Sequence, residues 1–155
     1  MNTGMILLIL IHVLCAVIWV GGMVFAHFML RPAALPLEPP VRLALFRRAF
    51  ERFFPTVWAT VILLLVTGFA MIVWVLGGFA AAPQYVDIMM ALGIVMMLIF
   101  GHLFFGPWRR MRNALDRGDL PGGAQALNQI RMIVTFNLYL GLIVVGVAAT
   151  GRYWG

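Results

Sequence analysis

Three histidines are the residues of this sequence best able to bind a metal or a cofactor. His27 and His102 have matching surroundings: an aromatic residue two positions before, a small residue directly before and a proline five positions after. Neutral imidazole is a common axial ligand of haem iron. The pair therefore predicts a haem b ligated by His27 and His102. The alternative is that both histidines are structural and reach water at the ends of their apolar segments.

His12 lies too far from His27 to bind the same iron. The 15 positions that separate them correspond to about 22 Å along a helix, at about 1.5 Å per residue. Four roles are open to His12: ligation of a second haem, contact with a quinone head group, copper binding together with Cys15 or Met23, or a hydrogen bond to a helix carbonyl.

Polar and basic residues near the paired histidines could complete a haem site. An arginine can pair with a haem propionate through a charge-assisted hydrogen bond. The arginines that follow the two histidines or precede the second apolar segment are candidates: Arg31, Arg48, Arg52, Arg109 and Arg110. Asn137 falls near the same depth and could bind a ligand histidine, a propionate or a neighbouring helix.

The abundance of methionine raises copper as a second metal. The chain has 11 methionines, and their thioethers suit Cu(I). Met89, Met90, Met96 and Met97 form two adjacent pairs in one apolar segment. Neighbouring residues on a helix point to different sides, so the pattern favours packing over one shared copper site.

The elements that carry these residues are predicted to be transmembrane helices. The chain is 64% apolar and only 10% charged, whereas a soluble domain has about 25% charged residues. Four apolar segments, about 5–30, 55–76, 88–106 and 132–150, approach the roughly 20 residues that cross a bilayer. We expect an all-α, four-helix transmembrane bundle with up-down-up-down topology, as one domain over 1–155. The first and third spans then run in the same direction, which puts His27 and His102 at one level.

The arginines define the expected orientation. All 11 basic residues are arginines, and they concentrate in the first and third connections, residues 31–54 and 108–131. The positive-inside rule puts these connections in the cytoplasm of a bacterial-type inner membrane, with both termini periplasmic. The net charge of +6 is therefore explained by topology and not by nucleic-acid binding. Aromatic and basic residues alternate over 41–54, which predicts an amphipathic interfacial helix between spans one and two.

Several motifs resemble those of a known membrane family. The stretch from His12 through Trp19, Gly21 and Gly22 resembles the opening span of CopD-like proteins, and Leu63 to Gly68 resembles their second span. The spacing of His12, Trp19 and the glycines is also similar to HemJ, the haem-binding protoporphyrinogen oxidase family. The resemblance covers nearly the whole chain. It implies a small four-span fold, with copper transport or tolerance in one branch and haem-linked porphyrinogen oxidation in the other.

These observations give one leading hypothesis and three alternatives. The leading hypothesis is a membrane b-type cytochrome that exchanges electrons with a quinone or a small oxidant, which would make it an oxidoreductase. The alternatives are a copper transport or tolerance protein that uses His12, Cys15 and Met23, a protoporphyrinogen oxidase-like haem protein, and a scaffold without a cofactor. Small residues such as Gly141 and Gly146 allow close helix contacts and would permit a homodimer.

Overall fold

Four long helices account for nearly all of residues 3–154, the part of the chain that the computed structural model describes. They are α1 (Thr3–Ala34), α2 (Pro39–Trp74), α3 (Gln84–Asp116) and α4 (Leu120–Tyr153), and each is long and apolar enough to cross a membrane. No strand occurs within residues 3–154. The predicted all-α fold is confirmed, as is a four-helix bundle of a multi-pass membrane protein.

Short segments join successive helices, and two of the three successive pairs pack side by side along their length. Helix α1 packs against α2, α3 packs against α4, and α4 also contacts α1. Aromatic rings from α2 and α3 close the remaining side of the bundle, with the Phe54 and Phe100 rings 5.8 Å apart between centroids. Large apolar side chains are exposed along the outer faces of all four helices, as expected where lipid is the surrounding solvent.

Helix α2 joins two elements that the sequence had separated. The predicted interfacial helix is the first part of a continuous helix that passes through Pro55 into the second span. Its apolar side chains Phe46, Phe50 and Phe54 are buried, and the Phe50 and Trp108 rings of α2 and α3 meet at 5.9 Å. The amphipathic pattern was therefore read correctly, but its apolar face packs against protein.

Two π-helical turns interrupt the first and third helices. They span Ala26–Leu30 in α1 and Phe104–Trp108 in α3, directly before Pro32 and around Pro107. Both prolines lie within their helices, which continue to Ala34 and Asp116. Proline lacks an amide hydrogen and its ring collides with the carbonyl four residues before it. A wider turn relieves that collision without ending the helix.

The third connection is shorter than predicted because both flanking helices extend beyond the apolar segments. Only residues 117–119 separate α3 from α4, and Gly118 adopts a φ of 73° in this turn. Residues 39–54, 104–116 and 120–131 thus form a helical extension that we call the arginine-rich end. Arg47 of α2 forms two ion pairs at this end. Its Nε lies 3.0 Å from Oε1 of Glu51 on the same helix, and its Nη1 lies 2.7 Å from Oδ1 of Asp116 on α3. These two carboxylates raise the pKa of Arg47.

Candidate functional site

One face of α1 carries most of the candidate ligands into the bundle. His12, Cys15, Trp19 and Met23 follow one another at three- and four-residue intervals, the spacing that keeps side chains on one side of a helix. Cys15, Trp19 and Met23 are almost completely buried, and His12 is half-buried. This face therefore presents imidazole, thiol and thioether groups to the bundle interior.

His12 is held by a hydroxyl group of the neighbouring helix. Its Nδ1 lies 2.8 Å from Oγ1 of Thr67 in α2. Thr67 donates its hydroxyl hydrogen to the carbonyl of Leu63, 2.6 Å away. Because a hydroxyl has one hydrogen, the Thr67 oxygen then accepts from Nδ1–H of His12. This arrangement leaves the lone pair on Nε2, the form of imidazole that binds a metal.

His27 repeats this contact at the other end of α1. Its Nδ1 lies 3.0 Å from Oγ1 of Thr135 in α4, and Thr135 donates to the carbonyl of Arg131 at 2.8 Å. By the same reasoning, Nδ1 carries the hydrogen and Nε2 carries the lone pair. His27 lies in the first π-helical turn, a feature that is frequent at functional sites. Both ends of α1 thus hold an imidazole in the same hydrogen-bonded state.

Two buried methionine side chains approach the same glycine in the centre of the bundle. The terminal methyl carbons of Met23 (α1) and Met96 (α3) lie 3.5 and 3.2 Å from the position that a Cβ on Gly141 (α4) would take. Met23 is 2% and Met96 3% exposed. We call these residues the thioether pair. The sequence pattern favoured packing for Met96, but its partner across the bundle could not be identified from neighbours in sequence.

Asn137 borders a small cavity that is also lined by Met23, one member of the thioether pair. It lies one helical turn before Gly141, is 3% exposed, and its Oδ1 has no hydrogen-bond partner within the described residues. The cavity has a volume of about 10 Å³, and Met23 and Asn137 both line it. That volume is about the smallest that admits one water molecule. A buried carbonyl oxygen without a partner is costly, so the site suits a single small occupant with which it can interact.

The structure does not bring His27 and His102 together. His102 is exposed on the outer side of α3, where its Cε1 lies near Gly106, whereas His27 turns toward Thr135. The interior between α1 and α3 is filled by aromatic and apolar side chains, among them Trp19, Phe54, Phe100 and Leu103.

This packing does not fit a haem inside a single bundle. The Trp19 and Phe100 rings are in contact between α1 and α3, with centroids 6.2 Å apart. The arginines predicted to pair with the propionates, Arg31, Arg48, Arg52 and Arg109, are exposed. The predicted haem site therefore has no support from the geometry of the described residues.

The predicted copper ligands divide into separate groups. Cys15 and Met23 are about 12 Å apart along the axis, so they cannot share one ion with His12. Within residues 3–154 no cluster of three or more His, Cys, Asp or Glu side chains is suited to a metal ion. Met23 and Met96 form one group of donors beside Gly141. His12 and Cys15, three residues apart on the same face of α1, form another.

The fold and these contacts define a small multi-pass membrane protein with soft donor groups in its interior. The family model for copper resistance protein D, CopD, matches residues 47–150, from the first part of α2 to the end of the fourth apolar segment. The chain therefore belongs to the CopD family, as the sequence motifs predicted. No curated protein and no solved structure matches the chain.

The two threonines that hold the histidines were missed by sequence reasoning. Thr67 lies in the stretch that resembles the second span of the family, and no sequence motif distinguishes Thr135. Polar residues inside apolar segments are the available signal, since each must find a hydrogen-bond partner there. The sequence alone does not reveal that partner, because a threonine in a helix can bond to its own backbone instead.

Proposed function

We propose that this protein binds Cu(I) inside the membrane and passes it along α1, in the service of copper transport or copper tolerance. The observation that supports the proposal is the approach of two buried methionine side chains, Met23 and Met96, to Gly141 in the centre of the bundle. Thioethers are soft ligands that select Cu(I) over hard divalent cations. Membership of the CopD family supports the same metal.

The remaining donors extend from the thioether pair toward both ends of α1. His12 and Cys15 lie toward the amino-terminal end, and His27 lies about 6 Å along the axis beyond Met23. Asn137 supplies an unpartnered oxygen beside the pair. A singly charged ion bound by thioethers and neutral imidazoles can move between such positions without proton release at the histidines, because their Nε2 atoms already carry lone pairs. Cys15 would bind the ion as a thiolate and would first have to lose its proton.

The asymmetric arginines support an orientation for this route. We propose that the arginine-rich end faces the cytoplasm of a bacterial-type inner membrane and that both termini are periplasmic. His12 then lies near the periplasmic side and His27 near the cytoplasmic side. Copper that is carried between them would cross most of the hydrocarbon region, since about 22 Å separates these residues along the axis.

Haem b electron transfer, with or without a quinone, is the competing hypothesis. It requires His27 and His102 to share a cofactor, but Trp19 and Phe100 occupy the space between their helices. Porphyrinogen oxidation depends on the same haem. Copper is preferred because two buried methionines approach Gly141 and because the chain belongs to the CopD family.

A Cu(I) titration tests the proposal directly. The purified protein in detergent is titrated with Cu(I) against a chromogenic chelator, beside Met23→Leu and Met96→Leu. Leucine keeps the volume and removes the sulfur. We expect each change to weaken binding by more than about tenfold, since even outer-shell partners of metal ligands are worth roughly 10- to 100-fold. Met132→Leu, at an exposed position of α4, is the control and should bind like the native protein.

Two outcomes would overturn the proposal. The first is Cu(I) affinity that is unchanged when both members of the thioether pair are replaced. The second is a reduced-minus-oxidised spectrum with a Soret band and split α and β bands that disappear in His27→Ala and His102→Ala. That spectrum would establish the haem hypothesis instead.

A further inference from the structure

A pocket at the arginine-rich end lies apart from the proposed copper route. It has a volume of about 260 Å³ and opens between the first turns of α2 and the first turns of α4. Arg42 and Arg131 supply its polar groups, while Leu43, Leu120 and Leu127 form apolar walls. At about 30 Å³ per water molecule, the pocket holds roughly nine waters, which is enough for a polar head group.

Arg131 is the unusual residue of this pocket. Its Nε and Nη2 atoms are buried and have no hydrogen-bond partner within the described residues. Its guanidinium lies over the Phe46 ring, with Cζ 4.7 Å from the centroid. Arginine does not lose its charge in proteins, so the buried donors require an acceptor. The ring stabilises the cation but accepts no ordinary hydrogen bond from these nitrogens.

The surrounding charges increase the need for an anion. Arg31 and Arg42 are close enough to Arg131 to repel it electrostatically. Two nearby carboxylates, Glu51 and Asp116, are engaged by Arg47.

The other acids of this region do not compensate either. Asp119 accepts from the amide of Gly122 at the start of α4. Glu38 is exposed and forms no ion pair among the described residues. Three positive charges therefore surround a pocket whose acidic neighbours are paired elsewhere or turned to solvent.

We propose that this pocket binds the phosphate of an anionic phospholipid, with Arg131 and Arg42 as its ligands. The guanidinium fork matches phosphate oxygens, and basic pockets between helices at this depth suit lipid head groups. A lipid is favoured over free phosphate because the walls are apolar and Arg131 directly precedes the apolar segment that begins at 132. Head groups lie at this level of the bilayer.

Lipid-dependent thermal stability tests the proposal on the full-length protein. Unfolding is followed in a zwitterionic detergent with added phosphatidylglycerol, phosphatidylcholine or inorganic phosphate. We expect phosphatidylglycerol to raise the Tm by several degrees and the other two additions to raise it much less. Arg131→Gln and Arg42→Gln should each lower the apparent lipid affinity by about tenfold or more. Arg117→Gln, an exposed position in the turn before α4, should retain the native response.

The comparison among ligands separates the sources of phosphate. Equal stabilisation by inorganic phosphate would overturn the choice of a lipid, and equal stabilisation by phosphatidylcholine would overturn the need for negative charge. An unchanged response in Arg42→Gln would overturn the site itself, including the case in which Arg131→Gln does not fold. The copper titration is independent, because none of its variants lines this pocket.

Discussion

Met23 and Met96 come from opposite corners of the bundle, yet their terminal methyl carbons converge on the same point beside Gly141. Gly141 leaves room for both methyl groups, because any side chain at this position would occupy the space in which the two methionines end. A binding function for the pair thus depends on a residue of a third helix that supplies no ligand. This dependence gives the first prediction.

Gly141→Ala should disturb the thioether pair. The new Cβ would lie 3.0 Å from Cγ2 of Val20 and 3.2 Å from the Met96 methyl carbon, closer than comfortable packing allows. Overpacking of this kind costs about 1–3 kcal/mol in free energy of unfolding. We expect a lower Tm in detergent and weaker Cu(I) binding in the chelator titration.

Gly146→Ala is the matched control on the same helix. A Cβ at Gly146 meets nothing within 4 Å. Alanine is about 1 kcal/mol more favourable than glycine in a helix interior, so this variant should be at least as stable as the native protein. If both glycine variants bind Cu(I) as the native protein does, the centre of the bundle is not the copper site.

Thr67 and Thr135 should affect the Cu(I) affinity of the protein through the hydrogen bonds that they form with His12 and His27. Thr67→Val and Thr135→Val keep the side-chain shape but remove the acceptor of Nδ1–H in His12 and His27. Outer-shell partners of a metal ligand are worth roughly 10- to 100-fold in affinity. We expect a loss of that size in Cu(I) binding or in copper flux into proteoliposomes, with a cost of only about 0.6 kcal/mol in stability.

Thr60→Val serves as the threonine control. Thr60 is buried in the same helix as Thr67, but its hydroxyl donates to the carbonyl of Val57, 2.8 Å away. We expect Thr60→Val to change the free energy of unfolding only slightly and to leave the Cu(I) affinity unchanged. Equal copper affinities in Thr60→Val, Thr67→Val and Thr135→Val would remove the histidines from the proposed route.

Adjacent glycines in α1 should respond differently to the same substitution. An alanine at Gly22 would overlap the Phe53 ring of α2, whereas a Cβ at Gly21 meets nothing within 4 Å. We expect Gly22→Ala to lower the free energy of unfolding by about 1–3 kcal/mol and Gly21→Ala to leave it nearly unchanged. Denaturation in detergent distinguishes them, and equal stabilities would contradict the packing of α1 on α2.

Cysteine labelling in intact cells tests the proposed orientation. Trp154→Cys and Arg117→Cys place thiols at exposed positions at opposite ends of the bundle, while the native Cys15 is buried. A membrane-impermeant maleimide should label the first variant in whole cells and the second only after permeabilisation. The reverse pattern would invert the topology and with it the direction assigned to the copper route.

The sequence predicted the helices better than it predicted their ends. Apolar length identifies a span because the bilayer demands a fully hydrogen-bonded apolar helix. Pro32, Pro55 and Pro107 were read as boundaries, yet all three lie inside continuous helices. A π turn or favourable tertiary packing can offset the destabilisation that a proline causes inside a helix. Neither can be recognised from the proline residue alone.

The site was predictable only in part, for a similar reason. His12 and His27 stood out because ionisable residues in spans are rare and usually face the interior. His102 has the same local pattern as His27 but is exposed on α3. The side that a residue faces depends on how its helix is rotated against its neighbours. That rotation is set by contacts such as Phe100 with Trp19 and Phe54, which join distant parts of the chain.

The narrow chamber beside Asn137 also limits how the protein could work in a cell. With room for about one water molecule, this level of the bundle does not carry a continuous column of water. Within this cavity there is therefore no open, water-filled passage for protons or alkali ions. Copper flux would advance only as side chains rearrange, so its rate should saturate with concentration, as in a carrier, instead of rising without limit.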